Sequence, residues 1–361
     1  MRTPSQNLIR KITPARIGLG FAWIGVLIYA SSSAIATLLV DIGAANPVAA
    51  GRNAITFTNL LFLGSLISLV PMVVLFRSDW TRTNLRRLSR QDWALLTLSA
   101  FLSSALTPGL SFFALEHSSV TNVVLVSRIE PPLFLLAAGL LLKERIDRRA
   151  LAAGLVALIG ALLMILLRET GNLCVLGVGE VAAAAATLSY IASAIVARRA
   201  LRAIPMGIFS IYRTTVGTVI YFVLIAALKG PQEFQDILSP VLLKWVWVYA
   251  IIVFVFGQLA WFFALKYARS GDMALASSFS PVAGIIFAML LLGEDPGAGL
   301  LPGGALILLA ICIGQMKTPA LPTLTRIWRR RPTFTTSDIA QVLVPVAALP
   351  GGSFKGYNGS Y

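Results

Sequence analysis

Residues 112 to 145, FFALEHSSVTNVVLVSRIEPPLFLLAAGLLLKER, return as residues 262 to 295, FFALKYARSGDMALASSFSPVAGIIFAMLLLGED, without a gap and at a constant offset of 150. Phe112, Phe113, Ala114 and Leu115 match Phe262, Phe263, Ala264 and Leu265. Further along, Leu125, Ser127, Pro131, Ala138, Leu140, Leu141, Leu142 and Glu144 match Leu275, Ser277, Pro281, Ala288, Leu290, Leu291, Leu292 and Glu294. About a third of the positions are identical. Leucines match easily by chance, but Ser127, Pro131 and Glu144 are not apolar filler, and their joint recurrence in register marks a tandem duplication.

The duplicated unit belongs in a membrane. With 57% hydrophobic and 12% charged residues, the chain lacks the polar surface to wrap a soluble core of this length. Several apolar runs approach the ~20 residues needed to cross a bilayer as helix. A barrel would need alternating strands of about ten residues, whereas residues 133 to 142 are apolar on every face. The fold class is therefore an all-α polytopic membrane protein. Cys174 and Cys312 lie in different predicted segments with no metal-ligand spacing and read as unpaired thiols.

Ten spans are expected, near residues 19–40, 54–76, 93–114, 119–142, 150–167, 178–197, 204–228, 245–265, 272–292 and 299–316. The first is longer than the apolar region of a signal peptide, which favours a retained span over a cleaved leader. The chain thus divides into a basic head, residues 1–18, two five-helix repeats, 19–168 and 176–316, and a tail, 317–361. Lys and Arg in short loops stay on the cytoplasmic side. With the N-terminus inside, the inner segments collect Arg77, Arg82, Arg86, Arg87 and Arg90, then Lys143, Arg145, Arg148 and Arg149, then Arg198, Arg199 and Arg202, with Lys266 and Arg269. The outer loops hold only Arg52, Arg168, Lys229 and Lys244. The net charge of +15 is then a signal of topology and of contact with an anionic lipid leaflet, not of nucleic-acid binding. Because each half has an odd number of spans, the second enters the membrane upside down. Both termini are expected in the cytoplasm of a plasma (inner) membrane protein.

The five-plus-five plan, the FFAL entry, the mid-helix proline and the LLLxE exit resemble the EamA-like branch of the drug/metabolite transporter superfamily over residues 19 to 316. The resemblance implies an inverted-repeat fold, alternating access, and a cavity between the halves for a small metabolite. Arg128 and Glu130 become Ser278 and Ser280 in the second copy, so charged chemistry at that level is lopsided.

An ionisable side chain inside a span is costly unless it meets a partner or a wet cavity. Arg128, Glu130, Glu180 and Arg213 qualify. Arg128 and Glu130, two positions apart, would point about 200° from each other on a regular helix, so each should seek a different neighbour. Three readings stay open: ion-pair struts from Arg128 and Arg213 to Glu180 and Glu130, a cavity role for Arg128, or a span boundary that leaves Glu180 or Arg213 near the interface. Pro131, with Pro132, and Pro281 should kink matching helices and free backbone carbonyls near Ser127 and Ser277, the best sequence pointer to a midplane site. Tyr190, Gln258, Trp261 and Ser280 complete the candidate lining. Ser31, Ser32, Ser33, Asn59, Ser189 and Tyr212 are weaker candidates, since hydroxyls in spans usually bond their own helix. Ala153, Ala157 and Ala161, and Gly299 with Gly303, read as close helix contacts. His117 is expected in a short outer loop.

No nucleophile with a base, no histidine cluster and no metal spacing supports an enzyme, and no cofactor is implied. The function read from the chain is a secondary transporter, an exporter, of a small metabolite such as an amino acid or organic acid. Arg128 would fix an anionic group of the substrate, and Glu130 could carry a coupling proton. The expected partners are the substrate and the bilayer, with proton coupling and a homodimer left open; the alternative is a non-transporting channel or structural protein. The tail is expected to be disordered, with Trp328 and Arg329 to Arg331 on an anionic leaflet and the apolar piece 339–349 too short to span.

Overall fold

A computed structural model describes residues 14–48, 51–118, 120–144, 148–167, 177–294 and 298–315. Most of the basic head, Cys174 and the tail lie outside these residues.

The first half contains α1 (Pro14–Ala45), α2 (Phe57–Phe76), α3 (Arg82–Arg87), α4 (Arg90–Phe101), α5 (Thr107–His117), α6 (Val120–Ser127), α7 (Glu130–Leu141) and α8 (Arg148–Leu166). The second contains α9 (Val178–Ala200), α10 (Met206–Leu228), α11 (Pro240–Tyr249), α12 (Gln258–Tyr267), α13 (Ser270–Ser278), α14 (Ser280–Leu292) and α15 (Leu300–Gln315). Eight continuous helical stretches are long and apolar enough to cross a membrane, and α7 and α15 are shorter apolar helices. With α6 and α7 taken as one interrupted span, the protein crosses the bilayer about ten times, as two inverted five-helix repeats. Leu140, Leu141, Leu290 and Leu301 stay exposed because lipid, not protein, covers them.

The packing repeats with the sequence. The first span, α1, lies against α12 and α14, from the eighth and ninth spans. Its counterpart α9 lies against α5 and α7, from the third and fourth. The pairs α2 with α10 and α8 with α15 exchange into themselves when the halves are swapped. Two glycines mark how close these contacts are. Any side chain at Gly18 would collide with the backbone of Tyr267 and Ala268, and one at Gly179 with His117 and Ser118. The glycines are 161 residues apart, and the chain they press on is displaced by 150. The small-residue faces of α8 and α15 meet each other: Gly160 sits on the Gly303 carbonyl, and Gly299 on Met164.

The fourth and ninth spans differ from the continuous kinked helices expected. Each stops and restarts. Ile129 N–H bonds Val126 O at 3.3 Å and Leu133 N–H bonds Ile129 O at 3.2 Å; Phe279 to Ala276 at 3.0 Å and Ala283 to Phe279 at 3.1 Å repeat the pattern. Pro131 and Pro281 fall in the first turn of α7 and α14, where a missing N–H costs nothing. The third and eighth spans hold a feature absent from the sequence reading, a π-helical segment at Leu102–Leu106 and at Ala250–Gly257. Pro108, which cannot donate to a carbonyl one turn earlier, accounts for the first. No such residue explains the second.

Polar contacts hold the two ends of the bundle. At the end carrying the basic loops, Glu144 after α7 accepts from Arg198 Nε at 3.2 Å, Arg202 Nη2 at 2.8 Å and Ser270 Oγ at 2.6 Å. Arg198 also donates to the Ala268 carbonyl and to Met273 Sδ. At the other end, Arg52 grips Asp236 with two bonds of 2.9 Å.

Candidate functional site

Both interruptions open on one cavity of about 120 Å³. Its walls come from α1 (Val26, Tyr29), α8 (Ala157, Leu158, Ala161), α9 (Tyr190), α12 (Trp261) and the two broken spans. The first broken span supplies Ser127, Arg128, Glu130 and Pro131, and the second supplies Ser277, Ser278, Ser280 and Pro281. Nine of the twelve residues singled out from sequence therefore share one chamber.

The break corrects one expectation about geometry. On a continuous helix Arg128 and Glu130 would diverge, but Arg128 lies in the turn after α6 and Glu130 opens α7, so both face the same space. The cause is the Pro131-Pro132 pair, which withholds two donors from the carbonyls of the previous turn. Arg128 Nε is buried and has no hydrogen-bond partner among the described residues. Ser127 Oγ donates to its own helix at Val124 O, 2.7 Å away.

The expected struts do not form. Among the described residues, none of Arg128, Glu130, Glu180 and Arg213 makes an ion pair within 4.0 Å. Glu180 sits in the first turn of α9, away from the cavity lining. It accepts from Gly177 N–H at 2.9 Å, from Asn122 Nδ2 at 2.9 Å and from Ser118 Oγ. It therefore caps its own helix and ties the α5–α6 junction to it. His117 ends α5 rather than lying in a loop, with its ring stacked on Phe113 at 4.2 Å. Arg213 lies over the rings of Phe262, at 5.2 Å, and Phe209, at 5.8 Å, and reaches Ser193 Oγ at 3.5 Å. Gln258 donates to Thr214 Oγ1 at 3.1 Å, on the next residue of α10. Ser31 and Ser32 bond carbonyls of their own helix, and Asn59 bonds Ala54 O.

Sequence reasoning missed Tyr29 as a lining residue, along with Val26, Leu158 and Ser278. Tyr29 crosses Trp261 edge-on, with ring centroids 6.4 Å apart. A signal was present: Tyr29 and Ser32 stand to Tyr190 and Ser193 at the offset of 161 that also relates Gly18 to Gly179. The repeat thus extends into the first and sixth spans with a shifted register, and a search at a fixed offset of 150 passes over it.

The model of the EamA-like transporter family matches residues 16–166 and again 177–314. An "Uncharacterized transporter sll1164" from Synechocystis sp. is 37% identical over 291 residues, covering 79% of this chain and 83% of that protein. A solved chain described only as "Crystal structure of protein" shares the fold with a TM-score of 0.64 at 20% identity, over 82% of this chain and 96% of its own.

Proposed function

The chain belongs to the EamA-like transporter family of the drug/metabolite transporter superfamily, and on that premise we propose that it exports a small anionic metabolite. The substrate is an organic acid or amino acid, carried by alternating access between the inverted halves across the plasma (inner) membrane. The observation that carries this reading is Arg128, a guanidinium in the wall of a membrane-embedded cavity whose Nε has no partner among the described residues. A guanidinium held in low dielectric is expensive unless something anionic meets it, and its planar fork suits a carboxylate. The first turns of α7 and α14 open on the same space, and helix N-termini favour anions there. Glu130, facing the same chamber, is the group placed to exchange a coupling proton.

The test is counterflow of carboxylate substrates in proteoliposomes. Arg128→Lys keeps the charge and loses the fork, so it should lower transport nearly as far as Arg128→Ala, with both proteins folded. Full transport by Arg128→Lys alongside misfolding of Arg128→Ala would make Arg128 a structural post and end this reading.

A further inference from the structure

Arg213, half-buried, is partnered unlike the buried Arg198. Arg198 spends its donors on the Glu144 carboxylate, the Ala268 carbonyl and the Met273 sulfur. Arg213, on a membrane-spanning helix, finds two aromatic faces and one long bond to a serine, with no carboxylate within 4.0 Å among the described residues. Aromatic faces hold a guanidinium in place while leaving its edge donors free. Arg213 is not itself in the cavity wall, but its partner Ser193 lies one turn from Tyr190 on α9 and Phe262 follows Trp261 on α12, and Tyr190 and Trp261, like Tyr29, line the cavity that holds Arg128. Neither tyrosine hydroxyl has a hydrogen-bond partner among the described residues. Buried polar groups normally find partners, so the partnerless Arg128 Nε, with two tyrosine hydroxyls and Arg213 near the same cavity, points to a ligand.

Charge leads to the same place. With Glu180 retired to its helix cap, the cavity wall holds one guanidinium, Arg128, and one carboxylate, Glu130, and Arg213 adds a second guanidinium against Phe262, next to the lining residue Trp261. We propose that Arg213 is a second anion-binding group of the transport site, and that the substrate carries two acidic groups on a short chain, one for Arg128 and one for Arg213. The proposal rests on the transporter reading of Arg128 and narrows it to dicarboxylates. A plain dicarboxylate and an amino dicarboxylate share this chemistry; the second would also place an amine near Glu130.

Equilibrium binding to purified protein tests it with succinate, aspartate and butyrate as probes. At least one of the two diacids should bind about tenfold or more tightly than butyrate, the factor that a gain of ~1.4 kcal/mol gives. A preference for aspartate over succinate that vanishes in Glu130→Gln would assign the amine to Glu130. Arg213→Gln should bring the diacids down to the level of butyrate bound by the same variant. Arg213→Lys, which keeps the charge over the phenylalanines, serves if the glutamine variant fails to fold, and should lose most of the same preference. Arg128→Ala should abolish binding of all three. A wild type that binds butyrate and the diacids alike, or a folded Arg213 variant that still prefers diacids, overturns the second site. If butyrate binding then still depends on Arg128, the parent reading survives without it; if no acid binds the wild type, both fall.

Discussion

Lys143 and Gly293 hold the same place in the two repeats and adopt the same left-handed backbone, with φ of 54° and 69°. Each lets the following glutamate N–H reach back six residues, from Glu144 to Ala138 O and from Glu294 to Ala288 O, closing the helix with the same cap. Only the second repeat uses the residue that suits it. A lysine in this conformation costs about 1–2 kcal/mol, of which the greater chain freedom of glycine returns part, so Lys143→Gly should stabilise the protein by roughly 0.5–1 kcal/mol. Chemical denaturation in detergent measures it; an unchanged or lowered midpoint would show that the lysine side chain contributes more than its backbone costs. Other residue-level features were legible in different degrees. Arg128 and Glu130 stood out because charge within an apolar span has few explanations. Glu180 stood out for the same reason; its capping bond to Gly177 N–H is local, but its other partners, Ser118 and Asn122, are distant in sequence, so its tie to the α5–α6 junction could not be read along the chain. Tyr29 drew no notice because a tyrosine in a span is chemically ordinary until Trp261 and the cavity are seen beside it.

At the level of elements, the sequence announced the two breaks but not their form. Pro131 and Pro281 recur in register, and a proline within a span has to disturb it. What could not be foreseen is that both chains would restart as new helices with the same hydrogen bonds, because that depends on neighbours accepting the turn. The π-helical segments at Leu102–Leu106 and Ala250–Gly257 were hidden for a related reason. The second lacks any helix-breaking residue at its centre, and its last residue, Gly257, packs closely against Ile28 from the first span. The breaks and the π segments occupy equivalent positions in both halves, as expected of joints rather than local accidents. Pro131→Ala and Pro281→Ala restore a donor and allow the broken spans to run straight. Each variant should stay within about 1 kcal/mol of the parent in stability, since proline stands in a first turn where little is lost. Transport should nevertheless fall in both, by a larger factor than expression. Parent-like Km and Vmax in the two variants would reduce the breaks to packing features.

Over the whole molecule, the two ends are closed by different chemistry on equivalent geometry. Gly18 and Gly179 bring the α12–α13 and α5–α6 junctions against the first and sixth spans in the same way. One end then adds the Glu144, Arg198, Arg202 and Ser270 cluster, while the other relies on the Glu180 cap and the exposed Arg52–Asp236 pair. On the proposed transport cycle, a bundle whose halves are alike in backbone and unlike in end contacts would have two conformations near in energy but not equal, the condition for alternating access. Removing one partner of a buried pair costs more than removing an exposed one, so the contacts at the Glu144 end are the more costly to break. The basic loops predict that the Glu144 end faces the cytoplasm, because Lys and Arg resist translocation while loops are short. Arg86 lies exposed at the end with the Glu144 cluster, and Gln232 lies exposed at the opposite end, near the Asp236 pair. In a background lacking Cys174 and Cys312, a single cysteine at Gln232 should react with an impermeant maleimide added to intact cells. One at Arg86 should react only after the membrane is opened. Labelling of the Arg86 position in sealed cells, with Gln232 protected, would turn the whole bundle over and place the Glu144 closure on the outer face.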